Sequence, residues 1–224
     1  MAETQQRQMG FWLAEPERRL LRAIAARLPS WAMPDHLTAL GVLAALGVAA
    51  AYALTTRHHL WLWAASAFLV VQWFGDSLDG TLARVRKIER PRYGYYLDHI
   101  VDAFSTVAVG VGFGMSPYVD FGIALGAVIV YLLLSINVYL ETEVFGVFEL
   151  AYSRIGPTEL RLIIIVGNTL LALLGAEATV FGAPVATVTN WTIGLIVGVM
   201  VVLLLRRGGQ SLRRLAKMEP PRRS

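Results

Sequence analysis

Cysteine is absent from this chain, which excludes disulfides and thiolate metal sites. Charge is scarce too: 16% of the 224 residues are Asp, Glu, Lys or Arg and 56% are hydrophobic, a balance outside that of an ordinary soluble domain. Internal repeats and long low-complexity segments are also missing. The apolar excess belongs in lipid, and the few charges carry the rest of the information.

A helix crosses the ~30 Å hydrocarbon core with about 20 predominantly apolar residues. Leu37 to Leu54, Tyr95 to Met115, Phe121 to Tyr139 and Val185 to Leu205 read directly as such spans. A further stretch starts at Leu60 and spans only if its helix continues through Gly75, Asp76 and Gly80 toward Arg84; another covers Thr158 to Ala176 and carries Arg161 near its start. The expected fold is an all-α integral membrane protein of six transmembrane helices. Its divisions are a cytoplasmic N-terminal segment (1–34), the transmembrane catalytic domain (35–207) and a basic cytoplasmic tail (208–224).

Lys and Arg gather in alternate connections, as expected when they are retained on the cytoplasmic side. Arg7, Arg18, Arg19, Arg22 and Arg27 precede the first span; Arg84, Arg86, Lys87, Arg90 and Arg92 join the second to the third; Arg206, Arg207, Arg213, Arg214, Lys217, Arg222 and Arg223 follow the last. The opposite connections hold only Arg57. Both termini are therefore expected in the cytoplasm, and a bacterial inner membrane is the expected location. Ahead of the first span, Leu13, Leu20, Leu21, Ile24 and Leu28 recur at helical spacing, with the arginines largely elsewhere on the wheel. This predicts an amphipathic helix lying in the headgroup layer, with a cap on its own bundle as the alternative.

Asp76 and Asp79 are three residues apart, and Asp98 and Asp102 four apart, so each pair projects from one helical face. If the chain turns near Glu89, the two helices run antiparallel as neighbours, Asp76 matches Asp102 in depth and Asp79 matches Asp98, with Asp76 and Asp102 about 12 Å inside the helix ends. Four carboxylates in one shallow membrane pocket could not all stay ionised without cations. An all-oxygen site favours Mg²⁺, Mn²⁺ or Ca²⁺, and four anionic ligands support a two-metal arrangement that clamps phosphate oxygens. Gly80 and Gly94 leave room at the rim for a substrate or neighbouring helix, and Arg84 is placed to meet a phosphate or nucleotide. Intramembrane charges at this density mark a function rather than an accident.

The pattern Asp-x2-Asp-Gly-x2-Ala-Arg, nine residues, then Gly-x3-Asp-x3-Asp resembles the signature of the CDP-alcohol phosphotransferases, matched here by Asp76, Asp79, Gly80, Ala83, Arg84, Gly94, Asp98 and Asp102. Pro34 and Thr38 resemble the family's Pro-Asn-x2-Thr segment, with Asp35 in place of its Asn. The resemblance implies a bundle with a cytoplasm-facing cavity, built as a homodimer. It further implies two metals, Mg²⁺ or Mn²⁺, held by Asp76, Asp79, Asp98 and Asp102, with Gly80, Gly94 and Arg84 toward the cytidine nucleotide of a CDP-linked substrate. Asp102 resembles the general base for the attacking hydroxyl, and CMP leaves. Lipids and an alcohol are the implied partners; no nucleic-acid partner is expected.

The head group is less directly encoded. Glu141 and Glu143 end the fourth span, near Tyr93, Tyr95 and Tyr96, and are expected to accept a choline or ethanolamine ammonium by charge and ring-face attraction. Asp98-His99 resembles the Asp-His pair of choline and ethanolamine phosphotransferases. The rival is an anionic or polyol acceptor such as inositol phosphate or glycerol phosphate, met by Arg154 and Arg161, although Arg161 in a fixed ion pair is equally sensible. A prenyltransferase would separate its acidic motifs widely. A proton- or cation-coupled transporter would show broken helices or inverted repeats.

Overall fold

A computed structural model describes residues 13–145 and 156–220. Among these residues the chain forms seven helices: α1 (Ala14–Ala25), α2 (Pro34–Leu54), α3 (Trp61–Arg86), α4 (Pro91–Gly114), α5 (Phe121–Phe145), α6 (Pro157–Leu174) and α7 (Val185–Met218). A two-residue hairpin, β1 (Thr179–Val180) with β2 (Ala183–Pro184), joins α6 to α7. α2, α5, α6 and α7 are long and apolar enough to cross a membrane on hydropathy alone. α3 and α4 have the length, about 39 and 36 Å, but carry the charged residues of the signature.

The local chemistry explains the element ends. Pro34, Pro91 and Pro157 occupy the first turns of α2, α4 and α6, where a missing N–H costs nothing and the fixed φ favours helix. Lys87 stops α3 in the left-handed conformation. Asp120 Oδ1 accepts from Gly122 N at 2.8 Å at the start of α5.

α2 is the spine, packing against both α3 and α4. A Cβ on Gly75 would lie 2.5 Å from Leu37 O and 2.7 Å from Gly41 N, so the α2 and α3 backbones touch there. On another face of α2, a Cβ on Gly112 of α4 would lie 2.4 Å from Ala49 Cα. Packing through small residues is how helices associate closely in lipid. The expectation that α3 and α4 are direct neighbours is corrected: they do not pack along their lengths, and α2 packs against each of them instead. α6 packs on α3, α5 on α4, and α7 on α5.

A buried polar chain locks the far half of the bundle. Tyr52 OH donates to Asn168 Oδ1 at 2.9 Å, and Asn168 Nδ2 donates to Ser66 Oγ at 3.2 Å, joining α2, α6 and α3. Around it, Val48, Leu62, Leu69 and Tyr118 form the larger apolar core.

α1 docks on the bundle. Leu21 and Ala25 are buried against Leu37, Leu78 and Leu82, while Arg19, Arg22 and Arg27 remain exposed. Glu17 Oε1 accepts from Trp73 Nε1 and Thr158 Oγ1, each at 2.7 Å, tying α1 to α3 and α6. The helix thus caps its own bundle with its basic side outward. Leu28 falls beyond α1, in a loop held by Arg86, which donates to Leu28 O, Pro29 O and Ala32 O at 3.1, 2.8 and 2.5 Å.

Candidate functional site

α3 and α4 present their acidic pairs near the ends joined by the basic connection. Asp79 lies seven residues before Arg86, and Asp98 seven after Pro91, so the two reach about the same depth, roughly 10 Å from their helix ends. Asp76 and Asp102 lie about one turn deeper. Asp76 and Asp79 are half-buried, whereas Asp98 and Asp102 are exposed. Asp102 is nevertheless within Coulombic reach of Asp76, Asp98, Asp79 and Arg161. The four carboxylates therefore surround one cleft from two helices, and α6 closes toward it through Arg161.

Each half-buried carboxylate has protein partners. Asp79 Oδ2 accepts from Thr38 Oγ1, and Asp79 Oδ1 from Gly80 N, both at 2.5 Å. Thr38 also donates to Pro34 O at 3.2 Å. Asp76 Oδ2 accepts from Arg161 Nη2 at 2.5 Å, and Arg161 Nε donates to Gln72 Oε1 at 2.8 Å. Among the described residues no three acidic or histidine side chains converge as a metal cage; Asp76 is turned to Arg161, and Asp79 to Thr38 and Gly80. The donor set itself, four carboxylates at one cleft, fits a hard divalent ion.

The rim is open where the signature carries glycine. A Cβ on Gly94 would meet nothing within 4 Å, and one on Gly80 would meet only the Arg84 guanidinium, at 3.5 Å from Nη1. Arg84 is exposed and donates to Thr81 Oγ1 at 3.2 Å, one turn before it. Gly80, Arg84 and Asp79 thus lie together at the mouth. The chain matches the CDP-alcohol phosphatidyltransferase family over residues 31–203, from just before α2 into α7.

It belongs to that family. No curated protein sequence matches the chain. Membership makes this an integral membrane transferase of phospholipid synthesis, acting on a CDP-alcohol. In this CDP-alcohol phosphatidyltransferase all eight signature residues lie on α3 and α4, within the matched region.

Around this centre the remaining residues separate. The Tyr95 and His99 rings are tilted at 36° with centroids 4.1 Å apart, and Tyr139 of α5 meets His99 edge-on at 4.4 Å. His99 Nδ1 lies 2.6 Å from Tyr95 O. This aromatic group lies beside Asp98. Glu141 instead faces α7: its carboxylate accepts from Arg207 Nε at 2.5 Å, Ser211 Oγ at 2.6 Å and Asn137 Nδ2 at 2.9 Å, with a side chain only 12% exposed. Its charge is compensated within that clasp. Glu143 is exposed near the end of α5, and Tyr93 lies under the Arg90 guanidinium at 3.9 Å. Arg154 lies outside the described residues.

Sequence reasoning passed over Gln72 and Glu17. Gln72 has a legible signal, a buried amide one turn before Asp76. Glu17 has the position of a first-turn acid, and nothing in the sequence pairs it with Trp73 and Thr158. The weak match at Pro34 and Thr38 marked a residue in direct contact with Asp79.

Proposed function

We propose that this chain transfers a phosphate-linked group from a CDP-linked donor to an alcohol hydroxyl in the acidic cleft, releasing CMP. The nearness of the two aspartate pairs, with Asp102 of α4 in Coulombic reach of Asp76 and Asp79 of α3, supports the reading most directly. Asp76, Asp79, Asp98 and Asp102 would hold two Mg²⁺ or Mn²⁺ ions, which supply charge stabilisation to the phosphate oxygens and the departing CMP. Asp102, an exposed carboxylate, takes the proton of the attacking hydroxyl as its oxygen bonds to phosphorus and the phosphorus–oxygen bond to CMP breaks. Gly80 and Gly94 let the nucleotide approach the backbone, and Arg84 meets its phosphate or base at the mouth. Thr38 holds Asp79 in register with the pair across the cleft.

The six long helices, α2 to α7, each cross the membrane, with 35–207 as the catalytic unit and the cleft open to the cytoplasm. The ends of α3 and α7, where Arg, Lys and the α1 arginines collect, support this orientation. The chain works as a homodimer, as its family resemblance implies, and a bacterial inner membrane is the location we favour.

The head group we favour is choline or ethanolamine. Two aromatic rings, Tyr95 and Tyr139, flank His99 beside Asp98, a surface that attracts an ammonium, and exposed Glu143 adds negative charge at the same end of α5. Of the two arginines that a phosphorylated polyol would call on, Arg154 and Arg161, the second is engaged with Asp76. The test is purified protein in lipid with Mg²⁺ or Mn²⁺, offered CDP-diacylglycerol with a panel of alcohols, and CDP-choline or CDP-ethanolamine with diacylglycerol. Products are identified by mass spectrometry. An ethanolamine- or choline-bearing lipid is expected; exclusive use of a phosphorylated polyol would replace the head-group reading and leave the transfer intact.

A further inference from the structure

Arg161 is the only basic residue of α6, set one turn into a mostly apolar helix. A guanidinium at such a place is costly unless it is paired. Its pairing is double: Nη2 to Asp76 Oδ2 at 2.5 Å and Nε to Gln72 Oε1 at 2.8 Å. Gln72 and Asp76 are four residues apart on α3, so one helical face presents both acceptors in line. The Arg161 and Asp76 side chains are only 14% and 19% exposed, and Gln72 is buried. The same guanidinium is within Coulombic reach of Asp102 across the cleft.

We propose that Arg161 is an internal counter-cation that holds Asp76 while the cleft is free of metal and competes with a divalent ion for that carboxylate. The inference rests on reading Asp76 as a metal ligand. Four carboxylates gathered in a shallow membrane cleft need positive charge whenever the ions are absent. Arginine supplies it permanently, because its guanidinium does not deprotonate in proteins. An ion arriving at Asp76 must displace this partner or share the carboxylate with it, so the pair lowers metal affinity while stabilising the empty bundle. Gln72 fixes the plane of the guanidinium, which makes the competition a property of two helices rather than of a mobile side chain.

The test uses full-length protein stripped of metal in lipid nanodiscs. Mn²⁺ binding is measured from the free-Mn²⁺ electron paramagnetic resonance signal, and unfolding from tryptophan fluorescence. Arg161→Gln is expected to bind Mn²⁺ about tenfold more tightly and to melt lower than wild type without metal, the two melting points converging at saturating Mn²⁺. Gln72→Met keeps the arginine but loosens it; Mn²⁺ affinity should rise about two- to threefold, and this variant carries the test if Arg161→Gln does not fold. Arg161→Lys keeps the charge without the planar fork that reaches Gln72 and Asp76 from separate nitrogens, and should fall between wild type and Arg161→Gln. Asp76→Asn should weaken Mn²⁺ binding. If Asp76→Asn does so while Arg161→Gln and Gln72→Met leave affinity unchanged or lower, competition is overturned and the metal reading stands. If Asp76→Asn leaves Mn²⁺ binding intact, Asp76 is no ligand, and both readings of this residue fall.

Discussion

Thr38 Oγ1 donates to Asp79 Oδ2 at 2.5 Å, so a hydroxyl near the start of α2 sets the rotamer of a carboxylate on α3. The contact is possible because the two backbones meet at Gly41 and Gly75, one turn away on each helix. Replacing Thr38 with Val keeps the shape and removes the donor. Activity is expected to fall about 10- to 100-fold, with a raised Mg²⁺ requirement, as for other residues that orient a metal ligand. Serine should restore most of it. Kinetics as a function of Mg²⁺ concentration check this; a Val variant with wild-type metal dependence would make the contact merely structural.

Asp102 is exposed, whereas Asp76 and Asp79 are half-buried among protein partners. Asp102→Asn retains an oxygen and the volume but loses the strong proton acceptor. Turnover should drop about 10²- to 10⁴-fold, with binding of the CDP-linked substrate largely preserved. Titrating binding and turnover on one preparation separates the roles, and near-normal turnover would remove Asp102 as the base.

Gly75 sits where an added Cβ would strike backbone atoms of Leu37 and Gly41. These cannot swing aside as a side chain can. Gly75→Ala should therefore destabilise the bundle by about 1–3 kcal/mol and displace Asp76 and Asp79 relative to α2. Thermal unfolding in detergent compares it with Gly94→Ala, whose Cβ meets nothing; equal melting temperatures for the two would argue against the close α2–α3 crossing.

Glu141 is held by Arg207, Ser211 and Asn137, and Glu143 is exposed. Glu141→Gln is accordingly expected to loosen α7 from α5 and to lower activity evenly across acceptors. Glu143→Gln, Tyr95→Leu and Tyr139→Leu should weaken choline- and ethanolamine-bearing substrates selectively, by several-fold, since ring-face attraction contributes about 0.5–2 kcal/mol. Specificity profiles over the whole panel distinguish these outcomes. A selective loss confined to Glu141→Gln would reverse the assignment.

The long helices were legible because apolar length and proline position encode helices directly. The expected stretch from Leu60 toward Arg84 became α3 (Trp61–Arg86), continuing through the acidic signature, and the expected Thr158 to Ala176 stretch became α6 (Pro157–Leu174). The spacing of Asp76, Asp79, Asp98 and Asp102 likewise placed each pair on one face and the two pairs at one end. Partner choice across helices was not legible. Periodicity shows that a face is apolar or acidic without showing which helix covers it, so α2 as the spine between α3 and α4 emerged only from the close approaches at Gly75 and Gly112. Charge behaved similarly: Arg86 counted toward topology but grips the loop before α2, and Glu141, expected to accept an ammonium, meets an arginine on α7.

The acidic cleft as the seat of group transfer is tested most directly by CMP release. Wild-type protein and Asp79→Asn, purified side by side in lipid, are given a CDP-linked donor with its alcohol co-substrate, first after exhaustive chelation and then with Mg²⁺ or Mn²⁺ restored. The expected result is CMP from the wild type only when the ion is present, and a loss of at least about a thousandfold in Asp79→Asn under every condition. Full CMP release after chelation, or from Asp79→Asn, would contradict the account.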